Sequence, residues 1–105
     1  MTNRLALVTG GTRGIGAAIS KKLKDDGYEV VASYIGTPEG PNEFSKETGV
    51  KVIKFDVSYY EDCVKAIKQI EEEAGKTIEI LVNNAGITKD KFLHKMSVEE
   101  WNAVI

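Results

Sequence analysis

The stretch TGGTRGIG at residues 9–16 constrains the fold more than any other feature of this 105-residue chain. It follows an apolar run of strand length, LALVT at 5–9, and leads into a segment whose apolar residues recur at helical spacing. In this context Gly10 permits a tight turn, and the backbone at Gly14 and Ile15 can approach a ligand closely. The free N–H groups at the start of the following helix attract phosphate. The loop therefore predicts a binding site for a nucleotide pyrophosphate.

Two other kinds of nucleotide-binding loop fit this sequence less well. A P-loop ends in Gly-Lys-Ser/Thr, whereas Gly16 is followed by Ala17 and Ala18. The role predicted for Gly16 is to let the helix pack close to the sheet. A methyltransferase-like site wants an acid at the end of the second strand, and the first acid there is Glu39. In NAD sites that acid binds the ribose hydroxyls, so its absence, with Arg13 in the loop, favours NADPH over NADH. The alternative interpretation of Arg13 is a solvated surface arginine.

Short apolar runs alternate with segments of helical periodicity along the chain. The predicted strands are 5–9, 28–34, 51–57 and 78–84, and two longer predicted helices end at Gly27 and Gly75. The stretch 36–42 contains both prolines and predicts a loop, followed by a short helix at 43–47. The spacing of Ser97 and Glu100 predicts a capping box at the start of a final helix. The order β-α-β-α-β-α-β-α predicts an α/β fold with a doubly wound parallel sheet, or one half of such a sheet.

Composition narrows the class of protein and its partners. The formal net charge of -2 gives no electrostatic basis for binding nucleic acid or an anionic membrane. No apolar run approaches the length of a membrane span, and the first residues lead directly into a strand instead of a signal peptide. Cys63 is the only cysteine, so no intrachain disulfide can form. We therefore expect a single-domain cytoplasmic protein without a metal site.

A second motif, VNNAG at 82–86, follows the fourth predicted strand. It lies at the carboxyl end of a central strand, which is the edge where open α/β sheets bind ligands. Asn83 and Asn84 can offer side-chain amides to backbone or ribose, while Ala85 and Gly86 let a cofactor lie close. The two motifs together predict a dinucleotide site far more strongly than either motif alone.

TGxxxGIG followed by NNAG is similar to the signature of the short-chain dehydrogenase/reductase family. The resemblance covers all 105 residues and rests on NRLALVTGGTRGIG, DGYEVVASY and LVNNAGITKDKFLHKMSVEEWNAVI. Within the family, the chain looks most like the acetoacetyl-CoA reductases, with the 3-oxoacyl-acyl-carrier-protein reductases close behind. The resemblance implies a Rossmann-type fold, an NADP coenzyme, and reduction of a 3-oxoacyl thioester, such as acetoacetyl-CoA to 3-hydroxybutyryl-CoA.

The resemblance also implies roles for individual residues. The cofactor phosphates and adenosine ribose would be bound by Gly10, Thr12, Arg13, Gly14, Ile15 and Gly16. Asp56 would bind the adenine amino group, with the backbone of Val57 beside it, although Asp56 has an alternative interpretation as a loop or capping carboxylate. Asn83, Ala85 and Gly86 would flank the adenosine and nicotinamide ribose.

The catalytic residues of the family have no counterpart in this sequence. The family uses a serine and a Tyr-x-x-x-Lys pair, and none of the tyrosines here has lysine four positions later. Those tyrosines are Tyr28, Tyr34, Tyr59 and Tyr60. We therefore expect residues 1–105 to form a truncated NAD(P)-binding Rossmann domain that is inactive alone and associates with itself or with a complementary half. The alternatives are a non-catalytic nucleotide-binding module and a remnant without a ligand.

Overall fold

The computed structural model describes residues 4–84, which form a four-stranded parallel sheet with helices between consecutive strands. The elements are β1 (Leu5–Thr9), α1 (Gly14–Asp25), β2 (Glu29–Tyr34), α2 (Glu39–Thr48), β3 (Lys51–Lys54), α3 (Tyr60–Ala74) and β4 (Ile78–Asn83). The strand order is β3-β2-β1-β4, and every pairing is parallel. The predicted alternation is confirmed as far as β4, whereas the final helix predicted from Ser97 lies outside the described residues.

The first strand contributes residues to both hydrophobic clusters of the core. All five residues of β1 are buried, as a near-continuous apolar run predicts for a strand covered on both faces. Leu5 and Leu7 belong to a cluster that includes Cys63 and Ile67 of α3. Val8 belongs to the second cluster, against which Ala17, Ile19 and Leu23 of α1 pack. Cys63, which is 1% exposed, is therefore a packing residue of α3.

The second helix begins earlier than the sequence predicts. The loop predicted at 36–42 and the short helix predicted at 43–47 are wrong in their boundaries, because α2 runs over Glu39–Thr48. Pro41 is the third residue of this helix, where its missing N–H is unneeded and its fixed φ suits the first turn. The first helical hydrogen bond, from Asn42 N to Pro38 O, spans 2.8 Å.

Smaller differences occur at β3 and α3. The strand predicted at 51–57 ends at Lys54, although Phe55 still donates its N–H to Tyr34 O at 3.2 Å. The helix α3 ends where Gly75 adopts φ 70°, which confirms this glycine as the terminator. Among residues 4–84, no helix has both the length and the apolarity needed to cross a bilayer.

Candidate functional site

The glycine-rich loop joins β1 to the start of α1. Gly10 and Gly14 have φ of 62° and 59°, a left-handed backbone that favours glycine. A side chain added at Gly14 would meet nothing within 4 Å, so conformation, and not crowding, requires glycine there. Arg13 precedes the helix in an extended conformation without a side-chain cap, and the first turn of α1 has no acidic residue. The helix N-terminus is therefore open to an anion.

Two other glycines of the loop are required by close packing. A Cβ at Gly16 would overlap the carbonyl oxygen of Gly10 and would lie 2.6 Å from Nδ2 of Asn84. Close approach at Gly16 was predicted, but the partners are the loop carbonyl and the second motif. A Cβ at Gly11 would lie 2.7 Å from Ser20 Oγ and 2.8 Å from the carbonyl oxygen of Val8. Sequence reasoning missed Gly11, because nothing local reveals the neighbouring strand and helix.

Thr9 connects the two motifs at the carboxyl ends of β1 and β4. Its Oγ1 donates to Oδ1 of Asn83 at 3.2 Å and accepts from the backbone N–H of Asn84 at 2.9 Å. The side chain of Asn84 also donates to Gly10 O at 3.2 Å. Nδ2 of Asn83 is buried and has no hydrogen-bond partner among residues 4–84. A buried amide without an acceptor is costly, so a ligand atom there would complete the site.

Asp56 lies in a tight turn between β3 and α3. Its Oδ1 accepts the backbone N–H of Ser58 at 2.9 Å and the hydroxyl of Ser58 at 2.6 Å. The hydroxyl of Ser58, followed by its N–H, holds the pKa of Asp56 below its usual value of 3.8. Val57 is buried, and its carbonyl oxygen accepts the Cys63 thiol at 3.4 Å. The turn supports the alternative interpretation of Asp56 as a loop carboxylate, and its contact with adenine stays a prediction.

The end of β2 forms the remaining side of the site. Ser33 is buried, Tyr34 is half-buried, and Ile35 is 67% exposed. The next acid is Glu39, the first residue of α2. No carboxylate therefore follows β2 directly, and the exposed Arg13 is the charged residue of the glycine loop. Because the strands are parallel, their carboxyl ends lie at one edge of the sheet. The glycine-rich loop, Asp56 and Asn83 all lie at this edge.

Comparison with known proteins assigns the family. A model described as short chain dehydrogenase matches residues 4–105. The chain belongs to this family.

Several relatives within the short chain dehydrogenase family are highly similar to the chain. An acetoacetyl-CoA reductase of Shinella zoogloeoides is 57% identical over 103 residues, which are 98% of this chain and 42% of the relative. A 3-oxoacyl-[acyl-carrier-protein] reductase of Staphylococcus epidermidis is 40% identical, over 98% of this chain and 44% of the relative. A crystal structure of a short chain dehydrogenase from Bacillus anthracis matches with a TM-score of 0.72 and 30% identity, covering 96% of this chain and 43% of that one. The chain thus spans less than half the length of these relatives.

The residues described here fit the nicotinamide coenzyme that the family uses. The space in front of Gly14, the uncapped start of α1 and the unpartnered amide of Asn83 lie at the same edge of the sheet. Thr12 is half-buried in the loop, and Ile15 is 75% exposed at the helix start. Ala85 and Gly86 lie outside the described residues. Coenzyme binding by each of the named residues stays a prediction.

Proposed function

We propose that this chain forms the coenzyme-binding part of an NADPH-dependent reductase of 3-oxoacyl thioesters. Acetoacetyl-CoA, reduced to 3-hydroxybutyryl-CoA, is the favoured substrate, because the relatives named for it reach 57% identity, against 40% for those named for an acyl-carrier-protein substrate. Reduction of a carrier-protein thioester is the second candidate. The observation that carries the coenzyme proposal is the open left-handed turn at Gly14 before an uncapped helix.

The proposed preference for NADPH rests on charge at the end of β2. A carboxylate there would hydrogen-bond the adenosine ribose and repel a 2′-phosphate, and this chain has Ser33 and Tyr34 instead. Arg13 supplies an exposed guanidinium in the neighbouring loop, and arginine binds phosphate through paired N–H donors. The 2′-phosphate would therefore gain a cationic partner in Arg13 and would meet no carboxylate directly after β2.

The residues present in this chain suit coenzyme binding but not proton transfer. NADPH, when bound, would supply the hydride for the 3-oxo carbon of the substrate, and the thioester carbonyl would stay intact. The glycine loop and the N-terminus of α1 would hold the pyrophosphate, and Asn83 of the adjacent strand would hold ribose. Protonation of the forming alkoxide requires the Tyr-x-x-x-Lys pair of the family, which this sequence lacks. We therefore propose that residues 1–105 alone bind coenzyme without reducing acetoacetyl-CoA.

Fluorescence titration with NADPH and NADH tests this proposal. Arg13→Gln should weaken NADPH binding about tenfold and leave NADH binding unchanged, since a charge-assisted contact to the 2′-phosphate is lost. The matched control is Arg4→Gln, because Arg4 is an exposed arginine at the start of β1 that pairs with Glu79 at 3.5 Å. It should change neither affinity.

Each part of the proposal has its own contrary result. Equal affinity of the unsubstituted chain for NADPH and NADH would refute the 2′-phosphate assignment. Binding of neither coenzyme would refute the coenzyme site and leave a remnant without a ligand. Oxidation of NADPH upon addition of acetoacetyl-CoA to the pure chain would refute its inactivity.

A further inference from the structure

The two consecutive residues Gly10 and Gly11 form a fully hydrogen-bonded segment at the base of the glycine loop. The N–H of Gly10 donates to Ser33 Oγ at 3.2 Å, and the N–H of Gly11 donates to the carbonyl oxygen of Ser33 at 3.2 Å. The carbonyl oxygen of Gly10 accepts from Asn84 Nδ2 at 3.2 Å, and that of Gly11 accepts from Ser20 Oγ at 2.9 Å. All four backbone groups therefore have protein partners, from β2, α1 and the end of β4.

This arrangement separates the amides of the loop into two groups. The N–H groups of Gly10 and Gly11 are engaged within the protein, so they do not serve a ligand. The N–H groups at the first turn of α1 lack a side-chain cap and remain for a phosphate. Ser33 engages both inward amides, one through its side chain and one through its backbone. One buried residue of β2 thus holds both inward amides of the loop.

Ser33 also lies next to the end of β2, where we propose that the protein distinguishes NADPH from NADH. It is 2% exposed and precedes Tyr34, the last residue of β2. Its strand neighbours are β1 and β3, with Ser33 paired to Ile53 of β3. The side chain of Ser33 therefore links the glycine loop directly to the end of β2.

We propose that Ser33 is a positioning residue, whose hydroxyl holds the Gly10 amide inward and so places the first-turn amides of α1 for the coenzyme pyrophosphate. This role rests on the proposed coenzyme function. Ser33 is buried and contacts the loop, so it acts on every ligand that needs the pyrophosphate contacts. It does not affect a ligand bound only by its adenosine 2′-phosphate.

The test compares two ligands that differ in the pyrophosphate. Ser33→Ala should weaken NADPH binding about tenfold, because the Gly10 amide loses its buried acceptor and the loop shifts. Binding of adenosine 2′-monophosphate, measured by calorimetry, should change less than twofold. Ser33→Thr keeps the hydroxyl and should restore NADPH binding. Ser45→Ala on α2 serves as the matched control.

Hydrogen exchange of the ligand-free protein provides a readout that needs no coenzyme. In Ser33→Ala, the amides of Gly10 and Gly11 should exchange at least tenfold faster, while the amide of Leu7 in β1 keeps its protection. Unchanged exchange at Gly10, or an equal loss of affinity for NADPH and adenosine 2′-monophosphate, would overturn the positioning role. Failure of the unsubstituted chain to bind either ligand would overturn the proposed function alone, since the exchange result would still decide the role of Ser33.

Discussion

Among single residues, Asp56 and Ser58 form a contact whose strength depends on pH. The carboxylate accepts two hydrogen bonds from Ser58, which favour its charged form and lower its pKa. A lowered pKa in the folded state contributes stability above the unfolded value, and that stability is lost as pH falls through the folded pKa. The turn between β3 and α3 should therefore weaken in acid.

The prediction concerns Ser58→Ala, which removes the hydroxyl donor to Asp56. The pKa of Asp56, followed by carboxyl NMR titration, should rise toward its usual value. The free energy of unfolding should fall by about 1 kcal/mol at pH 7, and the difference from the unsubstituted chain should shrink below pH 4. Ser45→Ala is the control. An unchanged pKa of Asp56 would contradict the assignment of its charged form to Ser58.

For single residues, the sequence predicted features that depend on local backbone geometry. It did not predict features that depend on contacts between distant parts of the chain. The tight turn at Gly10 was predictable from the strand-turn-helix context, whereas Gly14 was predicted for close approach of a ligand and its left-handed backbone was not predicted. The loop contacts of Ser20, Ser33 and Gly11 were not, because they depend on neighbours brought together by folding. One signal could have singled out Ser33, namely a polar residue that directly follows the apolar run 30–32 within a strand.

Among the elements, the helices show which sequence signals were sufficient. The end of α3 was predicted at Gly75, and the structure has that residue at φ 70°. The helix α2 begins four residues before the predicted start, because Pro38 and Pro41 predict a loop. Proline breaks a helix interior but is tolerated in the first turn. Pro41 is compatible with α2 because the helix begins at Glu39, only two residues earlier. The sequence alone does not reveal that position.

A pair of glycine substitutions tests this account of the helices. Gly75→Ala should destabilise the protein by about 1 kcal/mol, because alanine is strained at φ 70° although no atom lies within 4 Å of its Cβ. Gly40→Ala should stabilise it by about 0.5 kcal/mol, because Gly40 lies inside α2 with open space around it and no positive φ. Urea denaturation measures both. Effects of the same sign would contradict the conformational explanation.

For the whole molecule, the two outer strands of the described sheet differ in how their edges are protected. Among residues 4–84, β3 and β4 each pair with one neighbour only. The outer strand β3 begins and ends with exposed lysines, Lys51 and Lys54, which discourage edge-to-edge pairing. The outer strand β4 instead has the consecutive apolar residues Ile80, Leu81 and Val82, all half-buried. The relatives of this chain are more than twice as long as the chain itself. We therefore propose that a further strand pairs with β4.

The last prediction is that the chain self-associates through β4 when no other strand covers that edge. Sedimentation velocity at micromolar concentration should give a mass above that of the 11.5 kDa monomer. Ile80→Lys should shift the chain toward monomer, because a lysine at the edge is costly to bury between paired strands. Ile35→Lys is the matched control, since Ile35 is an exposed isoleucine outside β4. A monomeric unsubstituted chain would contradict self-association, and dissociation by Ile35→Lys but not by Ile80→Lys would move the interface to the carboxyl edge of the sheet.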